Sequence, residues 1–117
     1  MKQDQDFERF IPIPPAAFHV LLSLAGDERH GYGIMQDIAR HSDGRYKLGP
    51  GTLYDNLQKL MKDRLVEERA NVATGGEARR RYYRLTKLGR RLLSAEIVRL
   101  EKAIREAKLH LGVQRSV

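Results

Sequence analysis

The stretch LVEERANVATGGEARRRYYRLT, residues 65–86, breaks the helical periodicity of the chain and decides its fold. Leu65-Val66-Glu67-Glu68-Arg69 has the composition of a strand, Thr74-Gly75-Gly76-Glu77 that of a turn, and Arg79 to Leu85 that of a returning strand rich in Tyr and Arg. Together they predict one β-hairpin. Strand alternation places Arg81, Tyr83 and Leu85 on one face and Arg80, Tyr82 and Arg84 on the other. Leu85 marks the buried side, so Tyr83 is assigned to the core and Arg80 and Arg84 point outward. Arg81 lies on the inner face near the turn, where it either reaches a phosphate or lays its stem along apolar surface.

Upstream of the hairpin the spacing predicts three short helices. Pro12, Pro14 and Pro15 end an irregular leader, and proline is tolerated at a first helical position, so helix 1 runs from Pro15 to Ala25 with Phe18, Leu21, Leu22 and Ala25 on its apolar face. Gly26 to His30 reads as a turn. Ile34, Met35, Ile38 and Ala39 recur at helical spacing as helix 2, which His41-Ser42-Asp43-Gly44 ends. After a link over Arg45 to Leu48, Gly49-Pro50-Gly51-Thr52 opens helix 3, with Leu53, Leu57, Leu60 and Met61 on one face. Gly51, Thr52, Asp55, Asn56 and Lys59 fall on or near the opposite face, where a helix meets something outside its own core.

Downstream, Thr86 is a good N-cap for a last helix from Lys87 to about Leu111, closed by Gly112. Leu93, Ile97, Leu100, Ile104, Ala107 and Leu111 form a narrow seam flanked by charged residues. A seam on a helix that projects past so small a domain calls for a partner, and a second copy of the chain is the expected one. The fold class that follows is mainly α with a small β-hairpin: a winged helix-turn-helix plus a C-terminal dimerisation helix. The expected divisions are a leader (1–14), the winged domain (15–86), the dimerisation helix (87–112) and a tail (113–117). Phe7, Phe10, Ile11 and Ile13 of the leader have no place in the winged core, and either line a dimer interface or pack on the last helix.

Composition bounds the function. With 117 residues the chain has room for one ordinary core, and without cysteine it has no disulfides, no thiolate metal site and no thiol catalysis. The first apolar run, Phe18 to Ala25, is far below the roughly 18 residues that span a bilayer, so no membrane partner and a cytoplasmic location are expected. The net charge is +7, and the window from Arg79 to Arg91, with seven basic residues and no acid, accounts for all of it. A patch of that kind meets phosphate backbones. The four His residues and Asp37, Asp43, Asp55 and Asp63 have no metal, dyad or triad spacing, so an enzyme, a cofactor and a metal are not expected. His30-Gly31-Tyr32-Gly33 has too few ligands for a metal and lacks phosphate-loop spacing; it reads as a helix start with a packed Tyr. Tyr54 is either a packed aromatic or a hydroxyl donor to phosphate.

Leu21-Leu22, His30-Gly31-Tyr32-Gly33-Ile34, Gly51-Thr52-Leu53-Tyr54, Leu57, Leu60, Leu65-Val66, Arg81-Tyr82-Tyr83-Arg84-Leu85-Thr86 and Gly89, in that order, resemble the PadR family of bacterial transcriptional regulators. The resemblance covers about Ala16 to Glu96, and the single C-terminal helix resembles the short PadR subfamily. It implies a homodimeric winged-helix repressor that binds double-stranded DNA and is released by a small-molecule effector, whose pocket the sequence does not assign. Carried over by position, it implies that Thr52, Tyr54, Asp55, Asn56 and Lys59, with Gly51 at the helix start, belong to the recognition helix. Tyr32 would then lie close to the DNA backbone, and Arg79, Arg80 and Arg81 on the wing. Two residues depart from the family pattern: Arg64 stands where Gly often ends helix 3, and Asp55 puts on the DNA side an acid able to accept from a cytosine amino group. Two rival readings are a winged-helix protein-interaction module and a sequence-independent architectural DNA binder.

Overall fold

The computed structural model describes residues 7–71 and 80–112. A short 3-10 turn, Phe7–Phe10, precedes α1 (Pro15–Gly26), β1 (Arg29–His30), α2 (Gly31–His41), α3 (Pro50–Lys62), β2 (Val66–Asn71), β3 (Arg80–Leu85) and α4 (Lys87–Leu111). The predicted helices are all present, and the two with expected bounds, α1 and α4, end within a residue of them. Among the described residues the sheet has three strands in the order β1-β3-β2, one more than the hairpin that the sequence predicts. The added strand is the segment read as a turn: Arg29 and His30 pair with Tyr83 and Tyr82, a contact across some fifty residues that no local pattern announces. Residues 74–77, where the hairpin turn was placed, lie outside the described residues.

Leu21, Leu24, Ile34, Ile38, Leu53 and Leu57 carry the core between α1, α2 and α3, and Leu65, Val66, Tyr83, Leu85, Leu92 and Leu93 close it from the sheet and α4. Tyr83 and Leu85 are buried and Arg84 is exposed, as the alternation required, whereas Arg81, assigned to the inner face with Tyr83 and Leu85, is exposed. The helix ends follow local rules. His30 caps α2, its Nδ1 accepting from the Gly33 N–H at 3.1 Å, and Thr86 caps α4 by accepting from the Gly89 N–H at 3.0 Å. Arg64 does adopt the left-handed conformation (φ 63°) expected of a glycine. The Leu65 N–H reaches the Leu60 carbonyl and the Arg64 N–H the Met61 carbonyl, a Schellman closure of α3. The Thr86 hydroxyl donates to the Arg64 carbonyl at 2.7 Å, and a Cβ on Gly89 would strike the Leu65 carbonyl, so the first turn of α4 sits directly on the end of α3.

Three side chains depart from their expected places. Ile13, expected to have no place in the core, belongs to it together with Leu92 and Leu93 of α4, the second of its two expected locations, and Phe10 and Ile11 pack against that core. Glu96, 2% exposed, explains this: its carboxylate accepts from the Ile13 N–H at 2.8 Å and is held by Arg99 at 2.6 Å, tying the leader to α4. Leu93, the first residue of the predicted seam, is buried inside the chain and unavailable to a partner. Tyr32, expected to be packed, is 62% exposed because it follows the capped start of α2 on the outer side. Principal-axis extents of 59 × 38 × 24 Å show how far α4 projects.

Candidate nucleic-acid interface

The outward face of α3 is set by its apolar stripe: with Leu53, Leu57 and Leu60 buried, Gly51, Thr52, Tyr54, Asp55 and Lys59 are exposed and Asn56 is half-buried. Gly49 stands at the N-cap and Pro50 in the first turn. Along the face, the Asn56 amide donates to the Thr52 carbonyl at 2.9 Å, and Lys59 lies 3.9 Å from the Asp55 carboxylate one turn back. At that spacing and exposure the Asp55–Lys59 pair is weak, so both groups stay free to turn to another partner.

Tyr54 is partly packed and partly open. Its ring is 44% exposed, and its hydroxyl lies over Gly31, where any Cβ would collide with it. Glycine at position 31 thus lets α3 approach the start of α2. The contact brings three separately predicted residues, Tyr32, Tyr54 and Arg81, around one open hollow of about 470 Å³, completed by His30, Gly31 and Tyr83. Burial pushes the Tyr83 phenol above its usual value, with the nearby Glu68 carboxylate adding to the effect, so it remains a neutral donor. Phenol hydroxyls, a guanidinium and the N-terminal turn of a helix are all hydrogen-bond donors of the kind that hold a phosphodiester.

The wing is less basic than its sequence. The register sets Glu67 opposite Arg84 and Glu68 opposite Tyr83, so acids of β2 lie across from the basic strand. Arg84 Nε lies 2.7 Å from Glu67, Arg81 Nη1 lies 3.3 Å from Glu68, and Arg69 reaches back to Glu28. These are exposed pairs, worth little each, and a phosphate can displace them. Arg80 is in β3 by its backbone, and Arg79 lies outside the described residues. The acids of β2 and the role of His30 as cap and wall were not anticipated. The cap was legible as a His three residues before Gly33, whereas the Glu–Arg pairing depends on the length of the turn between the strands.

Among the described residues no His, Cys, Asp or Glu group of three could hold a metal ion, and no helix is long and apolar enough to cross a membrane. His19 and His41 approach at 3.0 Å beside Tyr46, with the Asp37 carboxylate 3.5 Å from the far side of His41. Burial, with His41 adding, lowers the His19 pKa, which favours a neutral His19 in this packing contact between α1 and α2.

Comparison with known proteins agrees with this architecture. The model of the transcriptional regulator PadR-like family matches residues 20–95. The transcriptional regulator Rv3488 of Mycobacterium tuberculosis is 38% identical over 88 residues, which are 75% of this chain and 78% of that protein. Among solved structures, a transcriptional regulator from Clostridium thermocellum superposes with a TM-score of 0.67 at 23% identity, over 85% of this chain and 90% of its own. Bacillus subtilis PadR, solved in complex with operator DNA, superposes with a TM-score of 0.66 at 21% identity, over 74% of this chain and 49% of its own.

Proposed function

The chain belongs to the PadR-like family of transcriptional regulators, and from that premise we propose that it is a homodimeric repressor that binds a pseudo-palindromic operator through α3 of each subunit and is released by a small-molecule effector. The observation that carries the reading is the convergence of Tyr32, Tyr54 and Arg81 beside the exposed face of α3. Thr52, Asp55, Asn56 and Lys59 face the major groove; Tyr32, Tyr54 and Arg81, with Arg79 and Arg80 further along the wing, hold the flanking phosphates. The similarity to a relative solved on its operator supports the same use of the fold here.

Homodimerisation follows from the far half of α4, where Ile97, Ile104 and Leu111 stand exposed on a helix with no further core to cover them among the described residues. The winged domain at 15–86 then supplies the DNA contacts and residues 87–112 the pairing. Val98 and Leu109, also exposed, lie on a different side of α4 from the seam.

Binding of the full chain to DNA from its own upstream region and to a scrambled duplex, across salt and with the solution mass recorded, tests the proposal. Selective binding by a dimer is expected, with a log–log salt slope of about −5 to −9 if roughly 6 to 10 phosphates are neutralised. Equal binding to both duplexes overturns it in favour of an architectural DNA binder. No binding at low salt overturns it in favour of a protein-interaction module.

A further inference from the structure

Helix α3 carries one acid, Asp55, and two bases, Lys59 and Lys62. The acid stands almost opposite the buried stripe of Leu53, Leu57 and Leu60, near the middle of the outward face. A carboxylate there repels phosphates and weakens binding to any duplex regardless of sequence. If it meets a donor on a base, that same loss widens the margin between the right sequence and every other.

The neighbouring side chains narrow which base it meets. Asn56 is half-buried, and its amide donates to the Thr52 carbonyl at 2.9 Å. Thr52 and Gln58 are exposed but can both donate and accept, so neither selects a base by sign. Ionised Asp55 only accepts and Lys59 only donates. The two lie one turn apart, both exposed, with 3.9 Å between carboxylate and ammonium. In the major groove guanine and thymine offer acceptors, adenine an acceptor beside its donor, and cytosine an amino donor alone. A carboxylate therefore fits cytosine, and the acceptors of the guanine paired with it fit the ammonium. An acid and a base this close together are the complement of one C·G pair.

Gly51 is a separate sign of the same use. It lies one turn before Asp55 on the same line of the helix, within the first turn of α3. A Cβ there would meet nothing within 4 Å, and the backbone is not left-handed, so the fold has no need of glycine at this position. Alanine would suit the helix better. Bare backbone on an outward face is what close approach of an outside partner requires.

We propose that Asp55 and Lys59 read one C·G pair in each operator half-site as a unit: Asp55 accepts from the cytosine amino group, Lys59 donates to the guanine edge, and Gly51 lets α3 come close enough for both. The inference rests on the reading of α3 as the DNA-binding helix and names what that helix recognises.

The test selects duplexes from a random library with the full chain, then measures affinity for all four base pairs at each selected position. A C·G pair is expected at one fixed position of each half-site. Asp55→Ala should lower affinity for the C·G duplex by about 5- to 150-fold and level the four variants at that position, while affinity for a scrambled duplex holds or rises. Asp55→Asn should move the preference there to A·T, because an amide pairs with adenine. Lys59→Ala should relax the same position, whereas loss of a mere phosphate contact would weaken all duplexes equally and reduce the salt slope by about one. Gly51→Ala should weaken binding to all selected duplexes while its melting temperature holds or rises. Selection without a fixed C·G pair, Asp55→Ala keeping the original preference, Lys59→Ala relaxing another position or weakening all duplexes equally, or Gly51→Ala binding as tightly as the unaltered chain overturns the proposal and leaves the DNA reading intact. No binding to any duplex at low salt overturns the DNA reading and this proposal with it.

Discussion

The two halves of α4 are one uninterrupted helix with opposite surroundings. From Lys87 to Glu96 it is seated on the rest of the chain through Gly89, Leu92, Leu93 and Glu96, whereas from Glu101 to Gly112 every residue is exposed. Both halves carry apolar residues at helical spacing, so periodicity alone gives them one seam. What separates them is reach: the winged core is only wide enough to cover the first three turns, and Glu96, bound to Ile13 and Arg99, marks the boundary. The near half is a wall of the folding unit, and the far half is surface open to a partner.

The sharpest test of that division is to damage each half separately. Leu92→Ala, at a site 1% exposed, should destabilise the chain by about 2–5 kcal/mol in urea at fixed protein concentration, because a cavity forms where the leader, α1 and α4 meet. Ile104→Lys, at a site 53% exposed, should leave the winged core folded and instead weaken self-association on the order of a hundredfold, seen as a shift to monomer mass in sedimentation. Equal loss of stability from the two changes would erase the distinction.

The boundary can be probed by itself. Glu96→Ala strands the buried Ile13 N–H and should cost about 1–3 kcal/mol, together with order in the leader. The Arg99 hydrogen bond holds the Glu96 carboxyl below its ordinary value of 4.5, outweighing the burial that opposes it, with the Ile13 N–H assisting. Its folded pKa is thus depressed relative to the unfolded chain. The stabilisation is therefore fully present above about pH 4.5 and is lost as pH falls from there through the folded value. The variant's stability should change less with pH over that window, measured by urea midpoints. The smallest effect is expected at Arg64, which holds α3 to α4 in a left-handed conformation. Arg64→Gly should raise stability by about 0.5–1 kcal/mol, relief of the αL strain exceeding the entropy that glycine adds to the unfolded chain. A melting temperature unchanged or lowered by this change would show that the turn is not strained.

Much of the frame was legible in the sequence. The apolar spacing of Leu53, Leu57 and Leu60 fixed which face of α3 is outward, and with it the exposure of Thr52 and Asp55. Thr86 and Gly112 bounded α4 to the residue. The basic window from Arg79 was visible too, but its pairing was not, because Glu67 and Glu68 neutralise Arg84 and Arg81 only once the strand register is known. Tyr32 was misplaced as a packed ring for a related reason: its exposure follows from where the start of α2 sits against α3 and β3.

By itself, then, the sequence determined what is written within one turn or one strand: helix spans, caps, the buried face of each element, and the left-handed residue at position 64. These depend on contacts a few residues apart, which spacing and side-chain chemistry fully specify. Tertiary structure alone decided that Arg29 and His30 form an edge strand, that Ile13 enters the core under Glu96, and that Leu93 faces inward while Ile104 does not. It also brought Tyr32, Tyr54 and Arg81 around one hollow. Each of these joins segments 20 to more than 80 residues apart, whose meeting depends on how the elements pack and on no pattern within either segment.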